Sequence, residues 1–261
     1  VLIQCSGIVD TRNALSIPRK PLRSPRIKLV PRVLNDVSRR DAAITLLGKR
    51  QGLPLVIGPT GPAGFVWYRG ETALAKAAAK ASIPFTLAST SNTAMETIRA
   101  EGGGAQWYHL YVWRDTDRSL KAVPRARDAG FEALVVTVDA TVPYNREWDQ
   151  RNGTTFPVRF TPRNAFDAIT HPRWLVGTMG RYVRADGQMP RYVNIDMPEG
   201  IRPADMRAFL TKNDTLDWDF FQRIREMWPR TLIVKGVLHP DDAVKAADLG
   251  AGQVDLEPGV V

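Results

Sequence analysis

Lys235 stands inside an apolar run, Leu232-Ile233-Val234-Lys235-Gly236-Val237-Leu238. An ammonium there costs free energy unless an anion meets it. Two readings follow. Either Lys235 pairs with an acid such as Asp139, or it faces a ligand that carries or develops negative charge. Other short runs end in groups suited to the same task. Leu53-Pro54-Leu55-Val56-Ile57 runs into Gly58-Pro59-Thr60-Gly61, where a glycine lets backbone approach a flat ligand. Phe85-Thr86-Leu87-Ala88 runs into Ser89-Thr90-Ser91-Asn92, rich in short hydrogen-bonding side chains. His109 and Tyr111 are two apart, as are Thr137 and Asp139, so each pair shares one face of its strand. Trp67, Trp107 and Trp113 read as core or rim packing. The histidines His109, His171 and His239 are scattered and Cys5 is alone, so no metal site and no disulfide framework is expected.

These groups need elements to hold them. The run from Leu53 predicts a fully buried first strand. Gly70-Glu71 opens a helix with Leu74, Ala77, Ala78 and Ala81 on one face, closed before Pro84. Phe85–Ala88 is the second strand. Thr93 and Glu96 have capping-box spacing ahead of a helix that stops at Gly102-Gly103-Gly104. Trp107–Trp113 is the third strand. A helix over 115–129 follows, and Pro124 should kink or split it. Ala133–Val138 is the fourth strand. After a long polar stretch, a helix carries Phe220, Phe221, Ile224, Met227 and Trp228 on one face. Thr231–Val234 is the fifth strand, and His239-Pro240 caps and starts a helix ended by Gly250. Alternating strands and helices predict a parallel sheet, either doubly wound or a (β/α)8 barrel. No G-x-G-x-x-G follows the first strand, which counts against a dinucleotide site.

Composition sets the outer bounds. The 261 residues carry a net charge of +9. Residues 1–50 hold 11 bases and 3 acids, leaving 25 bases and 24 acids in the rest. The body is therefore electrically ordinary and one end is basic. Residues 1–26, with Pro18, Pro21 and Pro25, read as a basic irregular arm. No nucleic-acid motif accompanies it, so nucleic acid is not the expected partner.

Taken together, the strand ends resemble a known family, the FMN-dependent α-hydroxy-acid dehydrogenases and oxidases. The resemblance rests on Ile57-Gly58-Pro59-Thr60-Gly61, His109-Leu110-Tyr111-Val112, Thr137-Val138-Asp139 with Arg146 downstream, and Val234-Lys235-Gly236. Asp36-Val37-Ser38-Arg39-Arg40 and Leu47-Gly48-Lys49-Arg50 fit it too, and the mandelate and L-lactate dehydrogenase branch is the most similar. The resemblance implies a (β/α)8 TIM-type barrel domain over residues 27–261, incomplete, with about five or six βα units present. It implies FMN at the carboxyl ends of the strands, held by Pro59, Thr60, Gly61, Ser89, His109, Thr137 and Lys235. Tyr111 and Arg146 would bind a small 2-hydroxy acid of the lactate or mandelate type, to be oxidised to the 2-oxo acid.

The chain also departs from the family pattern. His109 replaces the usual Gln of the third strand, and Ala88 replaces the flavin-contacting Ser, with Ser89 adjacent. The family's Ser-Asn-His-Gly-Gly-Arg motif, which supplies the catalytic base, has no counterpart here. The base is thus unassigned, and His109 lies on the right face to be a surrogate. The expectation is a chain truncated or frameshifted at both ends, testable by reading its gene in all three frames. Such a chain could instead be a catalytically inactive module that pairs with another copy. An insertion at 165–210 carries Trp174, Leu175, Val176, Met179, Tyr182 and Tyr192 among several arginines. It suits either a lid or peripheral contact with a membrane, which for a cytoplasmic protein is the inner face.

Overall fold

The computed structural model describes residues 33–36, 38–140, 147–151, 161–196, 211 and 213–256. The arm at 1–26 and Arg146 lie outside these residues. The described chain opens on a hairpin. Strands β1 (Ile44–Leu46) and β2 (Lys49–Gln51) pair antiparallel through Leu47 and Gly48, whose φ angles are 51° and 75°. A two-residue turn of this hand needs positive φ at both positions, and Gly48 supplies one of them without strain.

Five parallel strands follow: β3 (Phe85–Ala88), β4 (Gln106–Leu110), β5 (Ala133–Thr137), β6 (Thr231–Val237) and β7 (Gln253–Leu256). They lie side by side in chain order. Doubly wound sheets reverse their strand order and take helices on both faces. Here one face carries Leu87, Tyr108, Leu110, Leu134, Val136, Leu232 and Val234, packed against helix residues Ala78, Ile98, Val123, Ile224 and Ala246. The opposite face carries Trp107, Ala133, Val135 and Ile233, covered by Leu46, Leu47 and Val56 of the hairpin region rather than by a helix. Sequential order with helices on a single face is the arc of a (β/α) barrel. The hairpin closes the amino end of its lumen.

The covering helices are α1 (Gly70–Lys80), α2 (Met95–Glu101) and α3 (Thr116–Asp128). Helix α4 (Glu147–Arg151) lies beyond β5. An excursion over residues 161–196 holds α5 (Pro162–Thr170), α6 (Pro172–Trp174), a π-helical stretch (Leu175–Gly180) and α7 (Arg181–Asp186). Helices α8 (Trp218–Met227) and α9 (Pro240–Asp248) flank β6. The caps follow chemistry. Asp115, Thr161 and Asp217 each accept a backbone N–H of the first turn, and His239 accepts from Asp241 N with Pro240 behind it.

Several expectations need correction. The first strand shrinks to one parallel bridge, Ile57 to Phe85, with Ile57 N donating to Pro84 O at 2.9 Å and Thr86 N to Ile57 O at 2.9 Å. Residues Leu55–Ile57 are half-buried, because β3 pairs them on one side alone among the described residues. The α1 face is also rotated. Ala75 and Ala78 are buried while Ala77 is exposed. Pro124 neither splits nor ends α3, whose Leu120, Val123 and Ala126 all pack into one core. Packing on both sides of the proline offsets the lost hydrogen bond and the ring clash, together a cost of about 3 kcal/mol. The capping box at Thr93 does not form. Thr93 Oγ1 turns to Glu71 instead, and Met95 N is capped by Asn194 Oδ1 at 2.9 Å, from 99 residues away.

Candidate functional site

Strand parity places the polar groups. His109 follows Trp107 by two, Thr137 follows Val135, and Lys235 follows Ile233, so all three project from the lumen face. Thr137 and Lys235 are register partners at the carboxyl ends of β5 and β6. His109 Nε2 and Thr137 Oγ1 share a hydrogen bond of 2.6 Å, and both are buried. The His109 ring meets Tyr111 edge-on at 4.5 Å between centroids. Lys235 is 7% exposed. A cation, a hydroxyl and an imidazole therefore converge at one end of the lumen.

Two loops frame that end. Pro59, Thr60 and Gly61 follow the Ile57 bridge, and Thr60 Oγ1 donates to Gly58 O at 3.4 Å. A methyl group on Gly61 would overlap the Thr90 hydroxyl and stand 3.1 Å from its carbonyl oxygen. Gly61 is thus the residue that lets the first loop touch the second. Ser89 is buried where β3 ends. Its N–H donates to His109 O at 2.9 Å and its Oγ accepts from Tyr111 N at 3.3 Å. Ser89 therefore locks the carboxyl ends of β3 and β4 together. Gly236, with φ +97°, lies where the β6–β7 register shifts. The exposed Asp139 lays its side chain against it. Arg146 lies outside the described residues, so the structure gathers the other eight candidates without it.

Sequence reasoning missed the roles of three residues behind the loops. Glu71, 1% exposed, accepts from Gly64 N at 3.2 Å, Asn92 N at 3.0 Å and Thr93 Oγ1 at 3.0 Å. Asn194 Nδ2 donates to Ser91 Oγ at 2.6 Å and Thr93 O at 2.8 Å. Tyr182 accepts from Arg69 N at 3.0 Å, and burial raises its phenol pKa while that N–H works the other way. The base of the excursion is therefore tied to both loops. Trp174 adds a third tie, its Nε1 donating to Phe65 O at 2.7 Å. An acid in a helix's first turn looks ordinary in sequence, and partners about 100 residues away leave no local pattern.

Elsewhere, a cavity of about 350 Å3 lies at the opposite, amino end of the strands, lined by Leu46, Trp107 and Ala133 among others. The Lys49–Glu132 ion pair, 2.9 Å long, belongs to its wall. It is remote from Lys235 along the strands. Among the described residues no group of His, Cys, Asp and Glu could hold a metal.

Comparison with known proteins identifies the family. The family model described as FMN-dependent dehydrogenase matches residues 14–256. The chain is 36% identical over 230 residues to (S)-mandelate dehydrogenase of Pseudomonas putida, covering 87% of this chain and 56% of that protein. It is 36% identical over 229 residues to L-lactate dehydrogenase of Alcaligenes faecalis, covering 86% and 59%. A crystal structure of monotopic membrane protein (S)-mandelate dehydrogenase superposes with a TM-score of 0.78 at 34% identity, covering 88% of this chain and 60% of that one. The chain thus spans a little over half the length of the relatives it matches.

Proposed function

The chain belongs to the FMN-dependent dehydrogenase family, and on that premise we propose that it binds FMN at the lumen's carboxyl end and oxidises a small 2-hydroxy acid. The supporting observation is the convergence of buried Lys235 with the hydrogen-bonded Thr137–His109 pair at the carboxyl ends of β4, β5 and β6. This donor set suits the flavin's pyrimidine edge, which gains negative charge on reduction. When bound, FMN would supply a two-electron acceptor.

The protein's own groups do the rest. Lys235 holds a buried cation, which acts more strongly there than in water. His109 engages the Thr137 hydroxyl through Nε2 and so fixes its direction, a role that suits a histidine of 1% exposure. Pro59, Thr60 and Gly61 present backbone to the ring, with Ser89 holding the neighbouring strand ends. Tyr111, packed edge-on against His109, would orient a substrate carboxylate, with Arg146 as its partner in that role.

Titration of the purified chain with FMN, followed by visible absorption, tests this. Saturable uptake with shifted flavin bands is expected, followed by bleaching with lactate or mandelate under anaerobic conditions. No uptake at any FMN concentration would reject the reading. Uptake without bleaching would leave a binding module in place of an oxidoreductase.

A second observation concerns the excursion. Phe166 and Ile169, one turn apart on α5, are 70% and 67% exposed, and Val176 and Val183 are exposed beyond them. Arg163, Arg173, Arg181 and Arg184 stand among them, all exposed. Tyr182 and Met179, read from sequence as part of such a surface, are instead buried. Among the described residues no helix is long and apolar enough to cross a membrane. We assign this outer face to an anionic membrane surface, as apolar side chains ringed by arginine suit the interface. The chain should co-sediment with vesicles rich in phosphatidylglycerol and release at high salt. A variant carrying Phe166→Asp and Ile169→Asp should stay in solution. Equal sedimentation of that variant would count against this assignment.

A further inference from the structure

Glu71 lies in the first turn of α1, behind the two loops that frame the lumen. One of its oxygens accepts from Gly64 N and Asn92 N, and the other from Thr93 Oγ1, at 3.2, 3.0 and 3.0 Å. Gly64 is three residues past Gly61, and Asn92 is three residues past Ser89. A single carboxylate therefore bridges the two loops just behind the segments that face the ligand site. The contact between them is tight already, since any side chain at Gly61 would run into Thr90. A methyl on Gly64 would likewise stand 2.9 Å from Asn92 Cβ.

We propose that Glu71 is a positioning residue that sets the spacing of these loops and, resting on the flavin reading above, the seat of the ring between them. The chemistry favours a carboxylate. Three donors converge on it, and an ionised carboxylate accepts them all with charge-assisted strength. A glutamine in the same place keeps one oxygen for the two N–H groups but sets its NH2 against Thr93 Oγ1, so that hydroxyl must reverse from donor to acceptor and the charge that strengthens all three bonds is lost. An apolar side chain could fill the space but would leave two loop N–H groups buried without an acceptor. Asn194 extends the clamp, holding Ser91, Thr93 and Met95 on the far side of the second loop.

The test compares the full chain with Glu71→Gln and Glu71→Asp. In Glu71→Gln the FMN dissociation constant should rise about tenfold to a hundredfold, the loss of one or two hydrogen bonds' worth of ordering. The bands of the bound flavin should shift. Hydrogen exchange at Gly64 and Asn92 should speed up, while the strand amides of Leu87 and Val135 keep their rates. Glu71→Asp keeps the charge on a shorter stem and should recover part of each effect, and it carries the same measurements if the glutamine variant does not fold. Loop exchange at wild-type rates in Glu71→Gln would overturn the clamp. Faster exchange with unchanged FMN affinity and bands would reduce Glu71 to a purely structural role. Should the wild-type chain take up no FMN, the flavin reading fails by itself, and the exchange rates at Gly64 and Asn92 still decide whether Glu71 sets the loop spacing.

Discussion

Alanine at position 236 should destabilise the chain by about 2–4 kcal/mol and abolish FMN uptake. The backbone there has φ +97°, a region that L side chains enter at a cost of about 1–2 kcal/mol. The added methyl would also overlap the Asp139 carboxyl carbon and stand 2.6 Å from its Cβ and Oδ1. Relief requires either Asp139 or the end of β6 to move. Both moves reach the site, because Val138 N donates to Lys235 O at 3.0 Å and Lys235 precedes the glycine. Stability and function should therefore fall together. Gly177 is the matched control. A methyl group there meets nothing within 4 Å and the backbone is helical, so Gly177→Ala should leave stability unchanged or raise it by up to about 1 kcal/mol. Urea unfolding and FMN titration of both variants check this. A Gly236→Ala chain with the wild-type midpoint would show that Asp139 yields freely and that the glycine is not a requirement of the site.

The strands around that site were legible because each is buried on both faces. Phe85–Ala88, Ala133–Thr137 and Thr231–Val237 read as short, mostly apolar runs, and a lone lysine in the last of them stood out against its neighbours. Periodicity alone left the strand order and the single helical face open between a doubly wound sheet and a barrel, and only the family resemblance of the strand ends pointed to the barrel arc that the structure has. Both features depend on which elements cover which side, and composition does not carry that. The hairpin of β1 and β2 escaped notice because three-residue strands hold no period. Thr93 misled because capping-box spacing is a local signal, and a buried carboxylate from another helix competed for its hydroxyl. Glu71 and Asn194 were invisible for the same reason in reverse. Their meaning lies in partners that only the folded chain brings near. The excursion's outer face was half legible. Its aromatic and basic composition pointed to a surface, yet Tyr182 turned inward to cap the backbone at Arg69 and meet Tyr68 edge-on, 4.8 Å between ring centroids.

Methionine in place of Lys235 should separate function from stability. The methionine stem follows much of the lysine's path through the strand, so packing against the lumen is largely kept. What is lost is the ammonium. In a dry site a fixed cation facing developing negative charge is worth far more than in water, and removing one such group typically costs about 10²–10³ in rate. Substrate-dependent bleaching of the flavin should fall by about that factor. The midpoint potential of bound FMN should drop, because the reduced form loses more than the oxidised form. Oxidised FMN should still bind, held by the loop of Pro59–Gly61 and by Thr137, which keeps its bond to His109. A thermal melt of the same variant reads how much of the ammonium's contribution goes to the fold. Anaerobic stopped-flow bleaching, a redox titration and a thermal melt on one preparation decide the matter. A Lys235→Met chain with wild-type potential and rate would show that the buried ammonium serves the fold alone, and the site would then need another source of positive charge.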